Sequence, residues 1–145
     1  MLKVVALSYK RLSAVMRSLD YKVPQGVTFR IIDAQLPEVK AISQELERNN
    51  EVDLYISAGG SAWMLSQISE KPLVEIAVTG FDILNALQEA SLTTGGVAVI
   101  TYQDSVRDMN PTFKALGISA VHKVYMNAYE IEGLLLDLQD QGVEK

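Results

Sequence analysis

The chain has no cysteine, one histidine (His122), one tryptophan (Trp63) and four prolines in 145 residues. The lack of cysteine excludes a disulfide framework, a thiol nucleophile and a cysteine-based zinc site. His122 sits in an apolar strand pattern with no Asp or Glu at catalytic spacing, so it reads as a surface or internally satisfied core histidine. No apolar run reaches the roughly 20 residues of a membrane-spanning helix. No Lys/Arg cluster occurs, and 13 basic against 18 acidic residues leave a net charge of −5. That sign argues against nucleic acid as the direct partner of this segment. Neither nucleotide-binding glycine motif is present, and H-E-x-x-H and G-x-S-x-G are also missing. A phosphoacceptor receiver needs aspartates where this chain has Ser8, Tyr9 and Ser57. Paired carboxylates of an acid/base enzyme are not evident. Neither a metal site nor a cofactor is expected.

What is present is globular in composition, 48% hydrophobic and 21% charged. The first residues enter a strand pattern directly and do not form a signal peptide, so a cytoplasmic location is expected. Strand and helix patterns alternate throughout. Strands are expected at 4–7, 28–32, 54–57, 73–78, 97–101 and 121–125. Between them lie helical repeats: Leu12, Val15, Met16 and Leu19; then Val39, Ile42 and Leu46, ended by Asn49-Asn50; then helices at 61–68 and 81–90. The last helix, 129–140, has Ile131, Leu134, Leu135 and Leu138 on one side. The run Glu45, Glu47, Arg48 is a solvated helix face. This alternation predicts an α/β protein with parallel sheets flanked by helices.

Two strand-to-helix turns carry most of the chemistry. In the first, Ser57-Ala58-Gly59-Gly60-Ser61, the glycines let backbone N–H groups approach a bound group, and Ser61 can cap the following helix. The positive end of that helix favours an anion. In the second, Thr79-Gly80-Phe81-Asp82, Thr79 or Gly80 can cap, and Asp82 lies in the first turn as a ligand contact or a helix-dipole carboxylate. Phe81 packs on a ligand or in the core. The strands before these turns are consecutive and joined by one helix, so the turns are expected to line one cleft. Ser8, Tyr9, Thr101 and Tyr102 close their strands and are further candidate contacts. Trp63 and Met64 read as core or lobe-interface packing near the glycine turn.

An internal echo suggests two lobes. Val4-Val5-Ala6-Leu7-Ser8-Tyr9 is similar to Val97-Ala98-Val99-Ile100-Thr101-Tyr102, and each is followed by helix, strand and helix. The polar stretch 91–96 is the expected boundary, giving a first lobe at 1–90 that includes a hinge helix and a second at 97–145. The second lobe lacks the counterpart of the strand at 54–57 and is expected to be incomplete at its C-terminal end.

The pairing of S-x-G-G-[ST]-A with [VI]-x-[VI]-[ST]-G-[FY]-D-[IL]-L resembles the N-terminal sensory domain of propionate-catabolism activators, which are sigma-54-dependent transcription activators. The resemblance spans most of the chain, and Thr79-Gly80-Phe81-Asp82 is its most specific part. It implies a chelatase-like or periplasmic-binding-protein-like pair of lobes, with an organic acid bound between them and controlling a downstream AAA+ ATPase domain that engages sigma-54 RNA polymerase. Members often carry an arginine before the Gly-Gly pair. Ala58 stands there in this chain, which implies a ligand less acidic than a tricarboxylate.

The sequence therefore points to a non-enzymatic small-molecule sensor that forms homodimers through its second lobe and contacts neither membrane nor nucleic acid. A two-lobed racemase- or lyase-like enzyme using Ser57, Thr79 and Asp82 stands as an alternative. A ligand-free interaction domain is another.

Overall fold

A computed structural model describes residues 1–90 and 96–143. The chain divides into two compact units, Met1–Ala77 and Val78–Lys145. Residues 91–95 of the expected boundary lie outside the described residues.

The first unit contains β1 (Leu2–Ser8), α1 (Lys10–Ser18), β2 (Val27–Asp33), a 3-10 turn (Leu36–Glu38), α2 (Val39–Arg48), β3 (Leu54–Ala58), α3 (Gly59–Ile68) and β4 (Leu73–Ile76). Its four strands are parallel in the order β2-β1-β3-β4. β1 is central, and Val4 through Ser8 are buried without interruption, the mark of a parallel strand covered on both faces. Val5, Leu7, Tyr55, Val52 and Leu65 form the core with Val39 and Leu46 of α2. Each large apolar side chain buried in this way contributes about 1.5–3 kcal/mol. Asn49 caps α2, and Asn50 turns the chain away with a left-handed φ of 53°.

Three packing expectations are corrected. In α1 the inward residues are Ser13 and Met16, while Val15 and Leu19 are exposed. Ser13 reaches Ser8 Oγ at 2.9 Å, and this polar contact turns the helix so that Val15 faces outward. β4 ends at Ile76, not at 78, and as an edge strand it leaves Val74 and Ile76 exposed. In the last helix Leu138 is buried but Leu135 is exposed.

The second unit contains α4 (Gly80–Ala90), β5 (Val97–Tyr102), a 3-10 turn (Gln103–Ser105), α5 (Asn110–Leu116), β6 (Ala120–Tyr125) and α6 (Ala128–Asp140). β5 and β6 are parallel, with Val97 opposite Ala120 and Tyr102 opposite Tyr125. Ile83 and Leu87 of α4 are buried with Met109 and Phe113 and meet Val97 and Val99. The helix expected in the first lobe thus packs inside the second unit, because its apolar side matches the core there. α5 begins with a proline in its first turn and ends at Gly117, whose φ of 66° is left-handed. Gly96 makes an isolated parallel bridge with Val143, its N–H donating to the Gly142 carbonyl at 3.3 Å. A Cβ at Gly96 would lie 3.1 Å from that carbonyl oxygen, a tight contact that a larger residue could make only if the bridge shifted by a few tenths of an ångström.

Candidate functional site

In the first unit the candidate residues gather at the carboxyl edge of the sheet, where open α/β folds bind ligands. The β1–β3 ladder ends at the Ala6–Ile56 pair. Just beyond it, the buried Ser57 hydroxyl donates to the Leu7 carbonyl at 2.6 Å. Ser57 therefore fastens the two strand ends, and its hydroxyl is committed inside the protein. Ser8 is also fully buried, with its hydroxyl against Ser13. Tyr9, one residue on, is half exposed and occupies the N-cap position of α1.

β3 and β4 are neighbours, with Ser57 opposite Glu75 and Ala58 opposite Ile76. The turn after β3 passes directly into α3. Ser61 does not cap this helix: it is buried as the third helical residue, and the N-cap position belongs to Ala58, which has no side chain able to cap. Gly59 has a φ of +54°, the left-handed region that disfavours any Cβ. Of the glycine pair, Gly59 supplies the conformational freedom, and Gly60 follows it into the first turn. The side chain at the N-cap position makes no capping hydrogen bond, so the first-turn N–H groups can serve an anion. Trp63 lies one helical turn past Gly59 and is half buried, while Met64 packs on the core.

In the second unit Thr79 and Asp82 form a reciprocal cap at the start of α4. Asp82 Oδ2 accepts from the Thr79 N–H at 2.8 Å and from its hydroxyl at 2.7 Å, and the Asp82 N–H donates to Thr79 Oγ1 at 3.2 Å. The Thr79 hydroxyl, then its backbone N–H, holds the Asp82 carboxyl below its ordinary value. Phe81 is 73% exposed, so it is not a core residue. Gly80 packs closely on the Met109 side chain, 3.4 Å from where its Cβ would be.

At the carboxyl end of β5, Thr101 Oγ1 lies 2.8 Å from His122 Nε2. The Tyr102 ring packs against Tyr125 with centroids 5.3 Å apart. Gln103 then adopts a φ of +41°, an uncommon conformation for a side-chain-bearing residue, and its Nε2 donates to the Tyr102 hydroxyl at 2.8 Å. The structure thus groups Ser8, Tyr9, Ser57, Gly59, Gly60 and Ser61 in one unit. Thr79, Gly80, Phe81, Asp82, Thr101 and Tyr102 fall in the other.

The sequence reading left two residues of this region aside, Gln103 and Asn110. Asn110 brackets the His122 backbone, accepting its N–H at 2.8 Å and donating to its carbonyl at 2.9 Å. The dipeptide Asn110-Pro111 at a helix start was the available signal. His122 is a buried, internally bonded histidine, one of the two readings its strand context allowed. Among the described residues no group of His, Cys, Asp and Glu side chains is arranged to hold a metal ion. No helix among them is long and apolar enough to cross a membrane.

The chain resembles a solved structure, an NtrC family transcriptional regulator from Clostridium acetobutylicum. The two share 23% identity with a TM-score of 0.74, over 99% of this chain and 75% of the other, a likeness of fold. The family model described as "Propionate catabolism activator" matches residues 24–145, most of the chain. With its parallel α/β units, the chain belongs to the propionate catabolism activator family, as an N-terminal regulatory domain of transcription activators.

Proposed function

We propose that this domain senses a small organic acid in the cytoplasm and passes the signal to an ATPase domain of a sigma-54-dependent activator. The observation that carries this reading is the start of α3. A left-handed glycine delivers the chain into a first turn whose N-cap residue, Ala58, supplies no capping side chain, at the carboxyl edge of a parallel sheet. Such a turn offers backbone N–H groups and a positive dipole end to a carboxylate. The effector is gripped by this turn of the first unit. The half-exposed Tyr9, at the same carboxyl edge of the first sheet, supplies apolar contact area. Ala58 in place of a cation favours a mono- or dicarboxylate over a tricarboxylate.

Binding regulates only through a difference in affinity between two states of the protein. The domain itself performs no catalysis in this reading. It forms a homodimer through α6, where Leu135 and Leu136 are exposed. A thermal-shift screen of the chain against short mono-, di- and tricarboxylic acids tests the reading. An effector at 100 times its Kd adds about 2.7 kcal/mol of stability. An entire acid panel without effect on the melting transition would refute it.

A further inference from the structure

We infer that His122 makes Thr101 a hydrogen-bond donor for the effector, so that the carboxyl edge of the β5–β6 sheet reads an acceptor oxygen. The inference rests on the effector reading above and adds a recognition site within the second unit.

The geometry begins at Met109. Its backbone N–H donates to His122 Nδ1 at 3.1 Å, so that nitrogen carries no proton. The ring proton is thereby assigned to Nε2, which faces Thr101 Oγ1 at 2.8 Å. Nε2 is then the donor and Oγ1 the acceptor. The threonine hydroxyl keeps one role, donation of its own proton away from the ring. Asp108 Oδ1 also faces Nδ1, at 3.6 Å, beyond hydrogen-bond distance, so the Met109 N–H remains the partner of that nitrogen. The Asp108 carboxylate accepts from the Asn110 N–H at 3.0 Å and side-chain amide at 2.8 Å, and Asn110 in turn grips the His122 backbone.

The ring is buried and cannot reorient without breaking these contacts, whereas Thr101 is only partly buried and closes its strand. Thr101 and His122 lie on one face of the sheet, on a diagonal between paired strands. The same Met109 packs its side chain on Gly80, at the first residue of α4. The ring is thus held from the segment that also supports the start of that helix. A donor fixed in this way donates to a carboxylate or carbonyl oxygen and disfavours an ammonium or amide N–H, which would leave both donors unpaired. His122 is a positioning residue, and Thr101 makes the contact.

His122 is the sole histidine, so its ring can be read directly in the intact chain by two-bond proton–nitrogen NMR. The expected signal is the Nε2-protonated tautomer. An Nδ1-protonated ring or an imidazolium pattern at pH 7.5 would overturn the assignment. Amide shifts are then followed during titration with propionate, succinate and citrate. At least one acid should move the Thr101 amide. Thr101→Val and His122→Asn should each weaken that acid about tenfold, the loss of one charge-assisted bond. Thr101→Ser keeps the hydroxyl and His122→Gln keeps a donor at the Nε2 position, so both should bind nearly as wild type does.

Thr101→Val is isosteric and keeps the test available if the His122 variants fail to fold. An acid that moves only the Gly59–Ser61 amides and ignores Thr101→Val would overturn this inference while the effector reading stands. If none of the three acids moves any amide, the acid-sensing reading falls and this inference with it.

Discussion

Asp82 takes two hydrogen bonds from a single residue, the backbone N–H and the hydroxyl of Thr79, at 2.8 and 2.7 Å. A residue expected to touch ligand is therefore engaged first in holding its own helix. Its carboxyl is held below the ordinary value of 3.8, first by the Thr79 hydroxyl. The same direction applies to Asp33, held chiefly by the Ser13 hydroxyl, and to Asp108, held chiefly by the Asn110 N–H. Depressed carboxylate values in the folded state mean that the stabilisation is complete above the unfolded value. It is lost as pH falls through that value toward the lower folded one. Urea midpoints should therefore fall as pH drops from 5 to below 3.8, and Asp82→Asn should flatten part of that slope. A slope unchanged by this substitution would show that the cap does not form in solution.

Thr79→Ala removes the other half of the cap. The expected loss is about 1 kcal/mol of stability, within the range measured for N-cap replacement. Amide exchange should quicken in the first turn of α4 more than in α6, and equal changes in both helices would contradict a local cap.

Gly59→Ala tests the turn after β3. A Cβ there meets nothing within 4 Å, so the cost comes from the left-handed backbone alone. About 1–2 kcal/mol is expected by chemical denaturation. Gly60→Ala, at a residue without a positive φ, should cost less. The reverse order would mean that the turn is built differently.

The strands and helices of the first unit were legible because β1, β3 and α2 are written in apolar runs and a clean helical repeat, whereas the order β2-β1-β3-β4 came from the structure. The sites were less legible because hydroxyl residues at strand ends look alike in sequence. Ser57 and Thr101 occupy similar positions, yet Ser57 turns inward to a carbonyl and Thr101 sits beside an imidazole. Only the neighbouring strand decides between them. Ser61 followed a glycine pair and read as a cap, but the left-handed Gly59 started the helix two residues earlier. The membership of α4 was hidden for a related reason: Ile83 and Leu87 specify an apolar side but do not specify which core receives it.

Ser57→Ala should cost about 1 kcal/mol, because it removes a buried hydrogen bond to the Leu7 carbonyl. The loss should be insensitive to pH between 5 and 8, which separates it from the carboxylate effects above. A neutral Ser57→Ala variant would mean that water replaces the hydroxyl.

Self-association through α6 predicts that Leu135→Glu combined with Leu136→Glu shifts sedimentation toward the monomer without changing the helical circular dichroism signal. Both side chains are already exposed, so little core packing is at stake. A wild-type chain that sediments as a monomer at tens of micromolar would dismiss this contact.

Trp63 sits one turn along the helix that Gly59 begins, and it is the only tryptophan in the chain. Indole emission therefore comes from a single place, half buried beside the turn after β3. An effector that replaces water at that turn should shift the wavelength or intensity of the emission. The domain carries an intrinsic optical reporter one helical turn from its proposed anion contact, and occupancy of that contact can be followed on the unlabelled protein in real time.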